Sequence, residues 1–181
     1  MLDAAERDFG EHGFRGASMT SIAQGAGITH SLLYQYFGSK ELLYEACIER
    51  ARVTLFDDLG RAVAEHARPG EELRVFVEQF FAFLHMHRGT WSLLYGEAAP
   101  DVSNRMRERN ALAIGELIAR VLAERDVTAA DVDVAIVAHA LTGAGEQVGR
   151  WWLGHPEVEQ DVVVDRFVAL GLGLTGSLFR G

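Results

Sequence analysis

Three prolines in 181 residues, Pro69, Pro100 and Pro156, punctuate this chain, and each stands where one helical period ends and another begins. Proline lacks a backbone donor and clashes with the preceding turn, so it marks helix boundaries and is excluded from helix interiors. Between the prolines, apolar residues recur at helical spacing, and no segment alternates over a useful length as a half-buried strand does. Val162 to Val164 is a β-branched run, but it falls inside a helical period. The chain therefore reads as all-α, with helices expected at 2–11, two within 18–37, then 39–66, 71–87, 90–98, 101–125, 128–153 and 157–179, about nine in total.

The segment 18–40 is the most specific of these. Ser18 can cap a helix by accepting an N–H bond, and Met19, Ile22 and Ala23 follow on one face. Gly25, Ala26 and Gly27 supply a sharp turn, where glycine adopts left-handed angles at little cost. Thr29 then caps a second helix carrying Leu33, Tyr34 and Phe37, and Ser39 opens a long third with Glu41 in its first turn. Two short helices joined by a glycine turn near the start of a small protein suggest a DNA-reading helix-turn-helix.

The summed charge opposes that reading, because the formal net charge is −9, and nonspecific DNA affinity rests on cations that displace counterions from phosphates. Its distribution is more favourable. Residues 14–40 contain no acid, only Arg15 and Lys40, and Lys40 is the sole lysine of the chain. No apolar run reaches the ~18 residues of a membrane span, and the start lacks a signal-peptide layout, so a cytoplasmic protein without membrane contact is expected. The single cysteine, Cys47, sits in an apolar helical context and reads as a buried thiol. His85 and His87 are two apart and point to different helix faces, which rules out a shared metal of the i, i+4 kind. No phosphate loop, nucleophile elbow or carboxylate pair is recognisable, so neither enzyme, metal site nor cofactor is expected. Thr128 reads as the N-cap of the helix that runs to 153, and Glu146 and Arg150 read as an i, i+4 surface pair. The last two helices are rich in glycine and alanine, which fits close packing within one subunit or against a second copy.

The run from Phe14 to Ala23, then Ala26-Gly27-Ile28-Thr29, then Leu33-Tyr34-Gln35-Tyr36-Phe37-Gly38-Ser39-Lys40-Glu41-Leu42-Leu43, closely resembles the tetracycline-repressor (TetR) family of one-component transcriptional regulators. The resemblance implies a three-helix DNA-binding domain over residues 1–47 and a helical-bundle domain for effector binding and dimerisation over residues 48–181. It implies a homodimer on a palindromic double-stranded operator, acting as a repressor that a small apolar or aromatic-compatible effector releases.

Position by position, Thr29, His30 and Ser31 would begin the recognition helix. His30, Ser31 and Gln35 would reach base edges, since an amide can pair with adenine. Tyr34 and Tyr36 match the family's aromatic pair, with Tyr36 the better phosphate donor, and Thr20 and Lys40 would also meet phosphates. Phe83, Trp91, Tyr95, Asn110 and Trp151 are the expected effector contacts. Plainer readings stay open: Tyr34 and Tyr36 as packing residues with wet hydroxyls, His30 and Gln35 as solvated positions, the aromatic residues as core. Asp3, Glu6, Asp8 and Glu11 make the first helix acidic, which leaves as an alternative a ligand-binding protein of the same fold without an operator.

Overall fold

The computed structural model describes residues 1–86 and 100–176, with Pro100, Asp101 and Ser103 described by their backbone alone. Among these residues the regular elements are helices: α1 Leu2–Gly16, α2 Met19–Gly25, α3 His30–Phe37, α4 Lys40–His66, α5 Glu72–Met86, α6 Pro100–Ala123, α7 Asp131–Leu153 and α8 Gln160–Thr175. No strand occurs among them. The helix expected at 90–98 lies outside the described residues. No described helix is long and apolar enough to cross a membrane. The described residues fall into two compact units, one of Met1–Thr54 and residues 100–106, the other of Leu55–Met86 and residues 107–176.

The first unit is organised by α1. Ala4, Ala5 and Phe9 lie on its buried face, and the Phe9 ring meets Tyr44 of α4 edge-on at 4.8 Å. Phe14 closes the cluster, 5.0 Å from Tyr44. Gly13 interrupts α1 with φ 68°, a left-handed angle that a side chain would strain. Cys47 is fully buried in this unit, and burial pushes its thiol pKa up to about 12. Only the thiolate is a nucleophile. Cys47 in the native protein at pH 8 is therefore expected to react with a disulfide reagent at least about a hundredfold more slowly than in denaturant. Equal rates in a stopped-flow thiol assay would contradict the burial.

The second unit is built around α5, whose Val77, Phe81 and Leu84 are buried. The Phe81 ring is met edge-on by Trp152 of α7 at 5.5 Å and by Phe167 of α8 at 5.6 Å. Part of the small-residue content serves this core. A Cβ on Gly145 would lie 3.6 Å from the Phe80 ring, and one on Gly171 would come within 2.8 Å of Leu73 Cδ2, so a side chain there would force Leu73 aside. Gly143 and Gly173, by contrast, have nothing within 4 Å of a built Cβ.

The structure differs from the sequence expectation at two places in α7. α7 begins at Asp131, with Ala130 at its N-cap and no side-chain cap bond, so Thr128 does not cap it. Asp131 and Asp133 in the first turn complement the positive end of the helix dipole instead. Glu146 is no surface residue: it is 4% exposed, and its carboxylate is held by Arg107 of α6 as well as by Arg150.

Candidate nucleic-acid interface

The reading head is assembled by local capping bonds that the chain encodes residue by residue. Ser18, in extended conformation, accepts the Ser21 N–H at its hydroxyl (3.0 Å) and starts α2. Met19, Ile22 and Ala23 turn inward. The end of α2 is closed by Ala26 N–H to Ile22 O at 2.9 Å and Ile28 N–H to Ala23 O at 3.0 Å. Between them Gly27 takes φ 67°, the left-handed angle that stops the helix and redirects the chain. Thr29 then accepts the Leu32 N–H at 3.2 Å and starts α3. Leu33 is the buried anchor of α3, and α3 packs on α2.

What α3 leaves outside is polar and acid-free. Thr29, His30, Ser31 and Gln35 are exposed, as are Tyr34 (42%) and Tyr36 (66%). The His30 and Tyr34 rings, one turn apart, lie 4.7 Å from each other, which restrains both side chains before any partner arrives. Thr20 is exposed near the start of α2. Gly38, with φ 77°, ends α3 and donates to Tyr34 O at 2.8 Å. Ser39 then caps α4 by accepting the Leu42 N–H at 3.2 Å.

Lys40 is placed differently from its neighbours. Its ammonium donates to Phe14 O at 2.8 Å and Ala17 O at 3.1 Å, and lies 4.6 Å from the Phe14 ring centroid. The one lysine of the chain thus ties the end of α1 to the start of α4.

The acids of α1 have work inside the unit. Arg50 of α4 binds Asp3 at 2.7 Å and Glu6 at 2.7 Å, and the Glu6 hydrogen bond is the largest cause of the raised Arg50 pKa. Asp8 Oδ2 accepts the Ser18 N–H at 3.2 Å and the Ser21 hydroxyl at 2.9 Å. A carboxylate there also opposes the positive end of α2. Three of the four acidic residues that made α1 look unsuited to phosphate are thereby engaged with α4 and the start of α2. Sequence reasoning missed the roles of Asp8 and Arg50, because contacts spanning 10 and 44 residues have no helical period to reveal them.

Of the expected effector contacts, Phe83, Asn110 and Trp151 are among the described residues. Phe83 is half-buried and Asn110 is buried. Trp91 and Tyr95 lie outside the described residues. Trp151 does not face the interior: it is 49% exposed and stacks on His155 at 4.6 Å. Its neighbour Trp152 is the buried one, with its indole N–H donating to Val158 O at 2.8 Å.

The model for bacterial regulatory proteins of the tetR family matches residues 1–47, and the tetracyclin repressor-like C-terminal domain model matches residues 69–173. The transcriptional activator FasR of Mycolicibacterium smegmatis is 28% identical over 180 residues, covering 96% of this chain and 80% of that protein. A TetR-like transcriptional regulator from Rhodococcus sp. RHA1 superposes with TM-score 0.68 at 33% identity, covering 97% of this chain and 93% of that one. The regulator FadR from Bacillus subtilis, solved in complex with stearoyl-CoA, has the same fold, with TM-score 0.69 at 17% identity over 99% of this chain and 96% of its own.

Proposed function

The chain belongs to the tetR family of bacterial regulatory proteins, and we propose that as a homodimer it binds a palindromic operator through α3 and represses transcription until a small apolar ligand releases it. The observation that carries the DNA half of this reading is the exposed, acid-free face of α3. Thr29, His30, Ser31 and Gln35 present donors and acceptors at the end of a helix that a single turn positions, and major-groove readers place such residues on base edges. Tyr34, Tyr36 and Thr20 flank that face with hydroxyls suited to phosphate oxygens.

The base and phosphate roles are separable by experiment. Alanine at His30 or Gln35 is expected to cost about 1–3 kcal/mol and to relax preference at one base pair per half-site. Tyr36→Phe should instead weaken all duplexes alike. Selection of bound sequences from randomised duplexes distinguishes these; unchanged preference in both alanine variants would remove α3 from base recognition.

Dimerisation is supported by the outward faces of α7 and α8, which expose Val132, Ile136, Trp151, Val162, Leu170 and Leu172. Exposed large apolar side chains on two successive helices favour an interaction surface, and Gly143 and Gly173 on these helices leave room for another backbone. Two-fold pairing would set two α3 helices about 34–36 Å apart, one turn of duplex. Leu170→Asp is expected to convert the dimer into a species of the 19.9 kDa monomer mass in sedimentation at micromolar concentration. A dimer unaffected by that charge would place the interface elsewhere.

The apolar ligand is supported by the aromatic content of the second unit and by a neighbour in fold that holds stearoyl-CoA, which favours an effector with a long apolar chain. α4 and α6 each have residues in both units and are continuous covalent paths by which binding in one alters the other. A near-complete switch needs about 5.5 kcal/mol of differential affinity. A dimer seated on a promoter blocks transcription by occupancy alone, which favours repression. A reporter whose output falls when the protein is removed would reverse that sign, as in the relative that activates.

A further inference from the structure

Among the described residues, the buried polar side chains are Asn110, Thr142 and Glu146, and all three belong to α6 and α7. The two helices touch where a Cβ on Gly115 would lie 3.7 Å from that of Ala138, and again where Arg107 reaches Glu146. These two contacts are equally spaced along both helices in opposite directions, so α6 and α7 run antiparallel along a common seam. Thr142 lies within that seam, one turn before Glu146, and Asn110 is buried one turn after Arg107. Interior polarity is thus concentrated in one place.

At its end Arg107 forms a two-pronged bond to the carboxylate, Nε to Oε2 at 2.6 Å and Nη2 to Oε1 at 2.8 Å. Arg150 donates to Oε1 at 2.8 Å. Gly145, next to the carboxylate, packs against the Phe80 and Phe167 rings. Only the carboxylate is buried: Arg107 and Arg150 are 42% and 52% exposed, so the guanidinium groups that hold it are open to an approaching anion.

We propose that this cluster is the polar end of the effector site, and that it takes the anionic head of an amphiphile on Arg107 in exchange for Glu146. The inference rests on the apolar-effector reading above and adds the head group to it. A carboxylate or phosphate matches the planar guanidinium fork as Glu146 does. Arg150 keeps Glu146 paired when Arg107 turns to the ligand, so the exchange strands no charge. A mostly apolar site with few placed polar groups is the usual design, and this cluster supplies the polar ones. Exchange of the Arg107 partner also removes a bridge between α6 and α7, which gives the ligand a structural consequence.

The test uses the full chain and three probes with one tail length, myristate, 1-tetradecanol and myristoyl-CoA, with binding followed by tryptophan fluorescence. Wild type should bind myristate at least about tenfold tighter than the alcohol, the size of one charge-assisted bond. Glu146→Gln, which removes the competing carboxylate, should tighten myristate about tenfold further and leave the alcohol unchanged; a purely structural Glu146 would not raise affinity. Arg107→Gln should abolish the preference for the acid. The double variant Arg107→Gln/Glu146→Gln, which leaves no unpaired buried charge, should do so too and serves if the single one fails to fold. If myristoyl-CoA alone shows the same dependence on Arg107, the head is its phosphate and not a carboxylate. Equal binding of acid and alcohol, with no response to Arg107, overturns the head-group site and leaves the apolar effector standing. Preference for the acid that survives in the double variant places the head elsewhere, and binding of no probe overturns both readings.

Discussion

Phe81→Ala is expected to destabilise the protein by about 3–5 kcal/mol, a large part of the roughly 5–15 kcal/mol that holds a typical domain together. Phe81 is 0% exposed, and its ring joins three elements: Phe80 on its own helix at 5.2 Å, Trp152 of α7 and Phe167 of α8. Truncation removes the transfer free energy of the ring, leaves a cavity lined by groups that cannot collapse together, and forfeits edge-to-face contacts worth about 0.5–1.5 kcal/mol each. For a chain of this size the melting temperature should fall by roughly 10 °C. Phe81→Leu, which keeps most of the volume, should lose much less. Thermal unfolding followed by circular dichroism checks this, and a fall of under about 2 °C for Phe81→Ala would mean that the α5–α7–α8 core is packed differently.

Lys40→Met should lower reading-head stability and DNA affinity together. The ammonium holds two backbone carbonyls, Phe14 O and Ala17 O, that lie at the end of α1. Hydrogen bonds from a charged donor contribute about 1.5–3 kcal/mol when buried, and the cation over the Phe14 ring adds about 0.5–1 kcal/mol. Because Lys40 is only half-buried, about 2 kcal/mol in all is the expected cost, after allowance for solvent screening. The family resemblance assigns this lysine to a DNA phosphate, and the two roles predict different salt behaviour. Loss of a phosphate contact lowers the slope of log affinity against log salt by about one. Loss of a tie between helices weakens binding at every salt with the slope unchanged. The geometry favours the second outcome; a slope reduced by one with no loss of thermal stability would favour the first.

The features legible in the sequence were those decided within a few residues. Ser18, Thr29 and Ser39 were read as caps and each accepts the N–H three residues on, because capping is local chemistry. Gly27 was read as a turn for the same reason and has the left-handed angle required. Where the choice depended on which helix face meets which neighbour, periodicity was insufficient. Trp151 and Trp152 are adjacent and both fit an apolar period, yet only Trp152 is buried; glycine and alanine on either side of α7 leave its inward face undetermined. The pair Glu146–Arg150 was visible as i, i+4, but its burial came from Arg107, which is 39 residues away in sequence. The acids of α1 looked like an obstacle to phosphate because their partners, Arg50 and the start of α2, are set by tertiary packing. Thr128 failed as a cap because Asp131 and Asp133 start the helix later.

The most direct measurement is a binding titration of the intact protein against the duplex upstream of its own reading frame, repeated over a range of salt and against a scrambled duplex of the same length. The account predicts a dimer bound at least about a thousandfold more tightly to the cognate duplex than to the scrambled one, with affinity falling steeply as salt rises. Binding that is equal for both duplexes, or absent at every salt, would contradict operator recognition and leave a ligand-binding protein of this fold.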